Sequence, residues 1–188
     1  MLKDKIILAS ASPRRKHLLE TVGIPFEAIP AHVEEETLKS PSATVEHNAR
    51  KKALAIASDF PDRYILGVDT LVFCKNRILG KPDDEAHAFE MLRLLNNRTH
   101  IVFSGICLIK GAKIATAIEK TKVFFDKLTE QEISNYIRTH QPMDKAGAYG
   151  IQDFSSMFIK KIEGDYFNVV GLPLNLLYRI LKGMGFYM

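Results

Sequence analysis

Apolar and polar positions fall in short blocks whose period changes along the chain. Lys5 to Ala9 is a compact apolar run, read as a buried strand. Pro13 to Val22 has helical character. Phe26 to Pro30 reads as a second short strand, and an acidic loop follows. Thr44 to Ser58 is expected as a helix with Val45, Ala49, Ala53 and Ile56 on one face. Tyr64 to Cys74 is strongly apolar, broken only by Gly67, Asp69 and Thr70. Lys75-Asn76-Arg77 reads as a hairpin turn. Asp84 to Leu95 is expected as a helix with Phe89, Leu92 and Leu95 inward.

Two long strands are expected next, Thr99 to Ile109 and Ile114 to Phe125, joined at Lys110-Gly111-Ala112. Thr129 followed by Glu132 is a capping box and starts a helix. Met143 to Ile151 is a Gly/Ala-rich loop, and Met157 to Ile162 a strand. Leu174 to Lys182 closes the chain as a helix, with Pro173 ahead of it and Gly183 behind. There is no repeat, linker or low-complexity segment. Strands and helices alternate early and a hairpin pair sits in the middle, which predicts an α/β fold with a mixed sheet.

The 188 residues suffice for one domain, or one domain with two lobes. Apolar residues are 46% and charged residues 26%, as in ordinary globular proteins. Cys74 and Cys107 form no CxxC pair, which suits a reducing compartment. No apolar run approaches the ~18 residues of a membrane span. The charged start, Met1 to Lys5, leads into an apolar stretch too short for a secretory signal. A cytoplasmic protein is expected. The net charge of +4 admits nucleic acid or a small polyanion as partner. Basic residues are not interleaved with aromatics and there is no tryptophan, unlike a single-strand binder.

Six segments could carry chemistry. In Ser10-Ala11-Ser12-Pro13-Arg14-Arg15, Ser12 is a good N-cap and Pro13 suits the first helical position. Arg14 and Arg15 then oppose the helix dipole, which makes sense beside a phosphate. Asp69 is a carboxylate inside an apolar strand, costly unless paired or metal-bound. Otherwise it is a turn residue between two shorter strands. Gly80 and Pro82 would present Lys81 from a bent, stiff loop, although a plain loop lysine fits as well. Glu34-Glu35-Glu36 is a solvated acidic face, unless one member meets Asp69 and the two hold Mg²⁺. Lys52 tips toward the buried side of its helix, unlike Arg50 and Lys51, and either meets an anion or snorkels. In Asp144 to Gln152, small residues, a lysine and an amide side chain could touch a phosphate or read a base edge, although alone the segment is only a flexible loop. P-loop, GxGxxG and HExxH motifs are absent, as is any Ser/His/Asp arrangement. Cations plus a few carboxylates fit metal-assisted attack of water on a polyphosphate.

Together these segments resemble the Maf family of nucleoside triphosphate pyrophosphatases over nearly the whole chain. The resemblance is carried, in order, by Ser10-x-Ser12-Pro13-Arg14-Arg15, Glu35, Ala49-Arg50-x-Lys52-Ala53 and Gly67-x-Asp69-Thr70. It continues through Leu79-Gly80-Lys81-Pro82, the Asp144–Gln152 segment and Asn168-Val169-Val170-Gly171-Leu172-Pro173. One departure is Asn96-Asn97-Arg98-Thr99-His100, where the family more often has Ser-Gly ahead of the polar residue, a loop change.

The resemblance implies a single two-lobed α/β domain over 1–188, with a central mixed sheet flanked by helices and a cleft between lobes. The expected fold is that of the inosine triphosphate pyrophosphatases. It implies release of pyrophosphate and a nucleoside monophosphate, with Mg²⁺ or Mn²⁺ as cofactor and a homodimer as assembly. Asp69 is implied as general base, and Ser10, Arg15, Lys52, Lys81 and Lys145 as phosphate contacts. Glu35 and Asp69 are the implied metal or water carboxylates. Arg14, Thr70 and Gln152 mark the branch that prefers dTTP and UTP over the 7-methyl-GTP branch. The physics points the same way: Arg14 repels a cationic methylated guanine, and Gln152 offers a donor and an acceptor to a uracil or thymine edge. Two non-enzyme readings stay open. One is a nucleotide-binding regulator of septum formation. The other is a basic nucleic-acid module, which the carboxylates among the lysines argue against.

Overall fold

The computed structural model describes residues 5–186, so the start at Met1–Asp4 lies outside the described residues. The strands are β1 (Ile6–Leu8), β2 (Phe26–Ala28), β3 (Tyr64–Cys74), β4 (Arg77–Leu79), β5 (Thr99–Lys110), β6 (Lys113–Phe125) and β7 (Ile159–Glu163). The helices are α1 (Pro13–Thr21), α2 (Pro41–Ala57), α3 (Glu85–Leu95), α4 (Glu130–His140), α5 (Tyr166–Val170) and α6 (Leu174–Gly183). The strand order is β2-β1-β3-β5-β6-β7, with β4 paired to β3. β1 is parallel to both β2 and β3, while β3–β4 and β6–β7 are antiparallel. The sheet is therefore mixed, as the alternation of elements predicts.

The chain divides into two compact units. The first runs to Asp69 and adds Ser104–Glu119 and the residues from Gly171 onward; the second comprises Thr70–Phe103 and Lys120–Val170. β3, β5 and β6 each contribute residues to both.

The first unit is organised by α2. Its stripe of Val45, Ala49, Ala53 and Ile56 is buried as expected; Ala49, Ala53 and Ile56 share a core with Ile7 of β1, Ala9 just after it, Ile65 of β3 and Cys107 and Ile109 of β5. Strand residues two apart share a face. Gly67 and Gly105 therefore lie on the same faces as Ile65 and Cys107. A Cβ at Gly67 would sit 2.1 Å from the Ala49 carbonyl oxygen, and one at Gly105 2.3 Å from that of Val45. The helix backbone rests on each strand at the one position that lacks a side chain. The helix starts three residues earlier than its apolar periodicity suggests. Ser40 accepts from the Ala43 amide at 3.2 Å and Pro41 takes the first helical position.

The second unit packs α3 and α4 around Val72, Val102, Val123, Phe125 and Phe158. The inward face of α3 is Ala88, Met91, Leu92 and Leu95, with Phe89 only half-buried at its edge. The Thr129–Glu132 capping box is formed in both directions. The residues read as a turn after β3 divide differently. Lys75 and Asn76, at φ +45 and +59, are the two turn residues, and Arg77 already belongs to β4. The segment expected as a strand from Met157 begins instead as a 3-10 turn, Phe154–Phe158, capped by Asp153; the strand starts at Ile159.

Both cysteines are buried free thiols. Burial pushes the Cys107 thiol up to about 11, and raises Cys74 as well. His100 on β5 is 1% exposed, and burial pulls it down to about 3.

The close approach of α2 can be tested at one glycine. Gly67→Ala should destabilise by about 3 kcal/mol, roughly 10 °C in Tm for a chain of this size. Gly183→Ala, with open space around its Cβ, should be neutral or slightly stabilising. Equal denaturation midpoints for the two variants would remove the close approach as a constraint. His100 gives a second test, in pH. An unfolded histidine titrates near 6.5, so below that pH the unfolded chain binds a proton that the folded ring refuses. Stability from the neutral ring is present above about pH 6.5 and lost as pH falls toward 3. The Tm of the parent should therefore fall more steeply between about pH 6.5 and 4 than that of His100→Gln. Parallel profiles would clear His100 of that role.

Candidate active site

β1 ends at Leu8 and the chain turns through Ser10 into α1. Ser12 holds the N-cap position without a side-chain cap; its amide instead donates to Ser10 Oγ at 3.2 Å. Ser10 thus satisfies the Ser12 amide, while the first-turn amides of α1 receive no side-chain cap. The same hydroxyl accepts from Arg15 Nη1 at 3.0 Å, and Arg15 Nε donates to the Gly171 carbonyl at 2.9 Å. Arg14 and Arg15 stand in the first turn of α1, which holds no acidic residue. Burial lowers Arg15 from its ordinary value, while Asp69 and Glu35 nearby raise it. Guanidinium keeps its charge through such a shift. Arg15 is therefore a pinned, largely desolvated cation.

Asp69 lies inside the unbroken strand β3 and is 5% exposed, which settles the choice against a turn aspartate. It sits two residues after Gly67, so its carboxylate faces α2. There Lys52 Nζ approaches Asp69 Oδ1 at 2.7 Å and Glu35 Oε1 at 2.6 Å. Lys52 meets an anion and does not snorkel. The second carboxylate oxygen of Asp69 accepts from Asn48 Nδ2 at 3.3 Å. Asn48 also exchanges two hydrogen bonds of 3.0 Å with the Glu36 backbone, amide to Oδ1 and Nδ2 to carbonyl. Asn48 and Lys52 are one turn apart on α2, so a single helix face aims both at Asp69.

The acidic run splits in function. Glu35, itself exposed, pairs with the buried Lys52, while Glu36 pairs with Lys51 and His47. The Lys51 contact holds the Glu36 carboxyl below its ordinary range. Glu35 and Asp69 meet at one point, occupied by the Lys52 ammonium. Among the described residues no three His, Cys, Asp or Glu side chains are grouped to hold a metal. Two carboxylates fit a hard cation that keeps waters and borrows phosphate oxygens, as Mg²⁺ does.

The remaining expected residues belong to the second unit. Thr70 is half-buried and points away from the Asp69 side of β3. Lys81 is exposed on the loop after β4. Gly80 does not bend that loop by its own freedom: its φ is not positive and a Cβ there would meet nothing. The loop is held instead by the Gly147 amide, which donates to the Gly80 carbonyl at 2.9 Å, and by buried Pro82. Lys145 is pinned between Asp144 Oδ1 at 2.8 Å and Asp153 Oδ2 at 3.6 Å, with its stem across Gly150. Gln152 is exposed. The segment expected as a flexible loop is built from short 3-10 turns, and Gly147 and Ala148 both take positive φ, +70 and +59. For Ala148 that conformation costs about 1–2 kcal/mol.

A family model described as Maf-like protein matches residues 5–184. The chain belongs to the Maf-like family. Two relatives are similar over nearly their full lengths, both named dTTP/UTP pyrophosphatase. One, from Bacillus cereus, is 52% identical over 180 residues, covering 95% of this chain and 94% of its own. The other, from a Geobacillus species, is 48% identical over 183 residues, covering 96% and 98%. The solved Staphylococcus aureus Ham1 protein shares the fold, with a TM-score of 0.57 at 16% identity over 96% of this chain and 100% of that one. No helix among the described residues is long and apolar enough to cross a membrane.

Four residues of this Maf-like protein escape the sequence reading. Asn48 is detectable from its i, i+4 spacing to Lys52. Gly171 lies in a quoted motif without a role; its φ of +125 orients the carbonyl that Arg15 uses. Asp153 and Ser155, which brace Lys145 and Gly150, carry no sequence signal beyond their nearness to Gln152.

Breaking the buried pair from one side should be costly. Lys52→Met leaves Asp69 without its cation and should destabilise by ~3 kcal/mol. The double variant Lys52→Met/Asp69→Leu should recover much of that loss. Strictly additive losses in urea denaturation would show that the pair is uncoupled.

Proposed function

We propose that this Maf-like protein hydrolyses dTTP and UTP to the nucleoside monophosphate and pyrophosphate. The observation that carries the reading is Asp69, a buried carboxylate held by Lys52 and Asn48 and sharing its ammonium with Glu35. The names of relatives about half identical over the whole chain support it. Water attacks the α-phosphorus, Asp69 takes its proton, and the bond to the oxygen bridging the α- and β-phosphates breaks. Arg15, Lys52 and Ser10 bind phosphate oxygens, with Lys81 and Lys145 as further cationic contacts. A desolvated guanidinium interacts with an oxyanion more strongly than a hydrated one does, because the site needs no solvent reorganisation. Mg²⁺ or Mn²⁺, held by Glu35 and Asp69, would supply charge neutralisation on the phosphates and a more acidic water. Arg14, Thr70 and Gln152 read the base, and the amide of Gln152 matches a pyrimidine edge that presents both a donor and an acceptor.

Pyrophosphate release from dTTP, UTP, CTP, GTP and 7-methyl-GTP tests the reading, with divalent metal and with chelator. Turnover is expected for dTTP and UTP, lost with chelator. Asp69→Asn should still bind nucleotide but lose at least ~10²-fold in kcat. Retention of most activity in that variant would remove Asp69 as base. Gln152→Glu should lower the preference for UTP over 7-methyl-GTP, and an unchanged kcat/KM ratio would acquit Gln152.

A further inference from the structure

The segment from Lys145 to Gln152 passes through two successive left-handed residues, Gly147 and Ala148. An alanine stays in that conformation only where its surroundings over-determine it. On one side the Gly147 amide is tied to the Gly80 carbonyl at 2.9 Å. On the other, the Ser155 hydroxyl bridges the amide and carbonyl of Gly150, at 3.0 and 2.7 Å. Between them Tyr149 drops into the core of the second unit, 5% exposed. Its hydroxyl lies 2.7 Å from His100 Nε2, forty-nine residues away on β5. Both rings stand edge-on to Phe125 of β6 and to each other, with centroids 4.8 to 5.3 Å apart.

This contact is chemically odd for a core. His100 is almost wholly buried, and its Nδ1 has no partner among the described residues. A neutral imidazole and a phenol carry two protons but share one hydrogen bond. One N–H or O–H is left unused in either tautomer. Two apolar rings would fill the space without that cost. The pair makes sense if the hydrogen bond does something packing cannot, namely fix the height and rotation of Tyr149 under the strained turn.

We propose that His100 is a positioning residue, acting through the Tyr149 hydroxyl to hold Lys145 and Gln152 in register for the nucleotide. The roles of Lys145 and Gln152 rest on the proposed function; the anchoring of the segment does not.

Tyr149→Phe deletes one oxygen and keeps the packing. KM for dTTP and UTP should rise about tenfold, since a contact misplaced by an ångström is costly, while kcat changes less than about threefold. His100→Gln, whose amide can still meet the hydroxyl, should restore most of the affinity lost in His100→Leu. Hydrogen exchange gives a readout free of activity. Amides of residues 147–152 should exchange at least tenfold faster in Tyr149→Phe than in the parent, with α2 unchanged. Unaltered exchange there overturns the anchor, whatever the kinetics show. A KM unchanged in a variant with faster exchange also overturns the positioning role. Faster exchange in a protein whose parent form turns over neither dTTP nor UTP would leave the anchor standing and sink the proposed function instead. Should His100→Leu not fold, Tyr149→Phe and His100→Gln carry the test alone.

Discussion

Everything in the first unit depends on how closely α2 can approach β3 and β5. Two glycines, Gly67 and Gly105, let helix backbone rest on strand backbone, where a single methyl group at either would overlap a carbonyl oxygen. That distance does more than fill space. It sets the depth at which Asn48 and Lys52 leave the helix and the height at which Asp69 leaves the strand. A larger residue at Gly67 would lift the helix and draw the ammonium off the carboxylate, so core packing and electrostatics are one constraint seen twice.

The charges that result are expensive. A buried ion pair is weak support for a fold, because desolvation offsets most of the Coulombic gain. Here the expense recurs: Asp69 and Lys52 are nearly buried, and Arg15 is stripped of much of its water. Lys52 in the middle of α2 pairs with both Glu35 and Asp69, and Arg15 in the first turn of α1 feels the same two carboxylates. Such a group is what the proposed anionic substrate would meet. The hydrogen bonds of Asn48 to Asp69 and of Arg15 to Ser10 hold it in place.

Most of the fold is readable because periodicity survives where one face is buried. The stripe of α2, the capping box of α4 and the long strands are local patterns with local causes. The misread boundaries lie where local signals compete. Ser40 and Pro41 start α2 outside its apolar stripe, and the 3-10 turn at Phe154–Phe158 imitates the beginning of a strand. Within the site, Asp69 stands out as a charge in an apolar run, and Lys52 by its place on the helix. Ser12 holds its N-cap position but its hydroxyl does not cap, since the sequence cannot tell which way a hydroxyl turns. Gly80 is credited with a bend that a hydrogen bond supplies. His100 is invisible for a plainer reason: its partner Tyr149 is forty-nine residues away, and no spacing rule joins a strand to a turn.

The two native thiols have a practical meaning. Cys107 lies under α2 with its acidity suppressed to about 11 and Cys74 is likewise raised. Burial keeps both thiols from the thiolate form, the one that reacts with alkylating reagents and peroxide. The natural chain is therefore nearly silent toward maleimide dyes without any cysteine being removed. A single exposed replacement, such as Lys39→Cys, would carry a fluorophore alone, and the acidic loop beside it could be watched as candidate nucleotides are added.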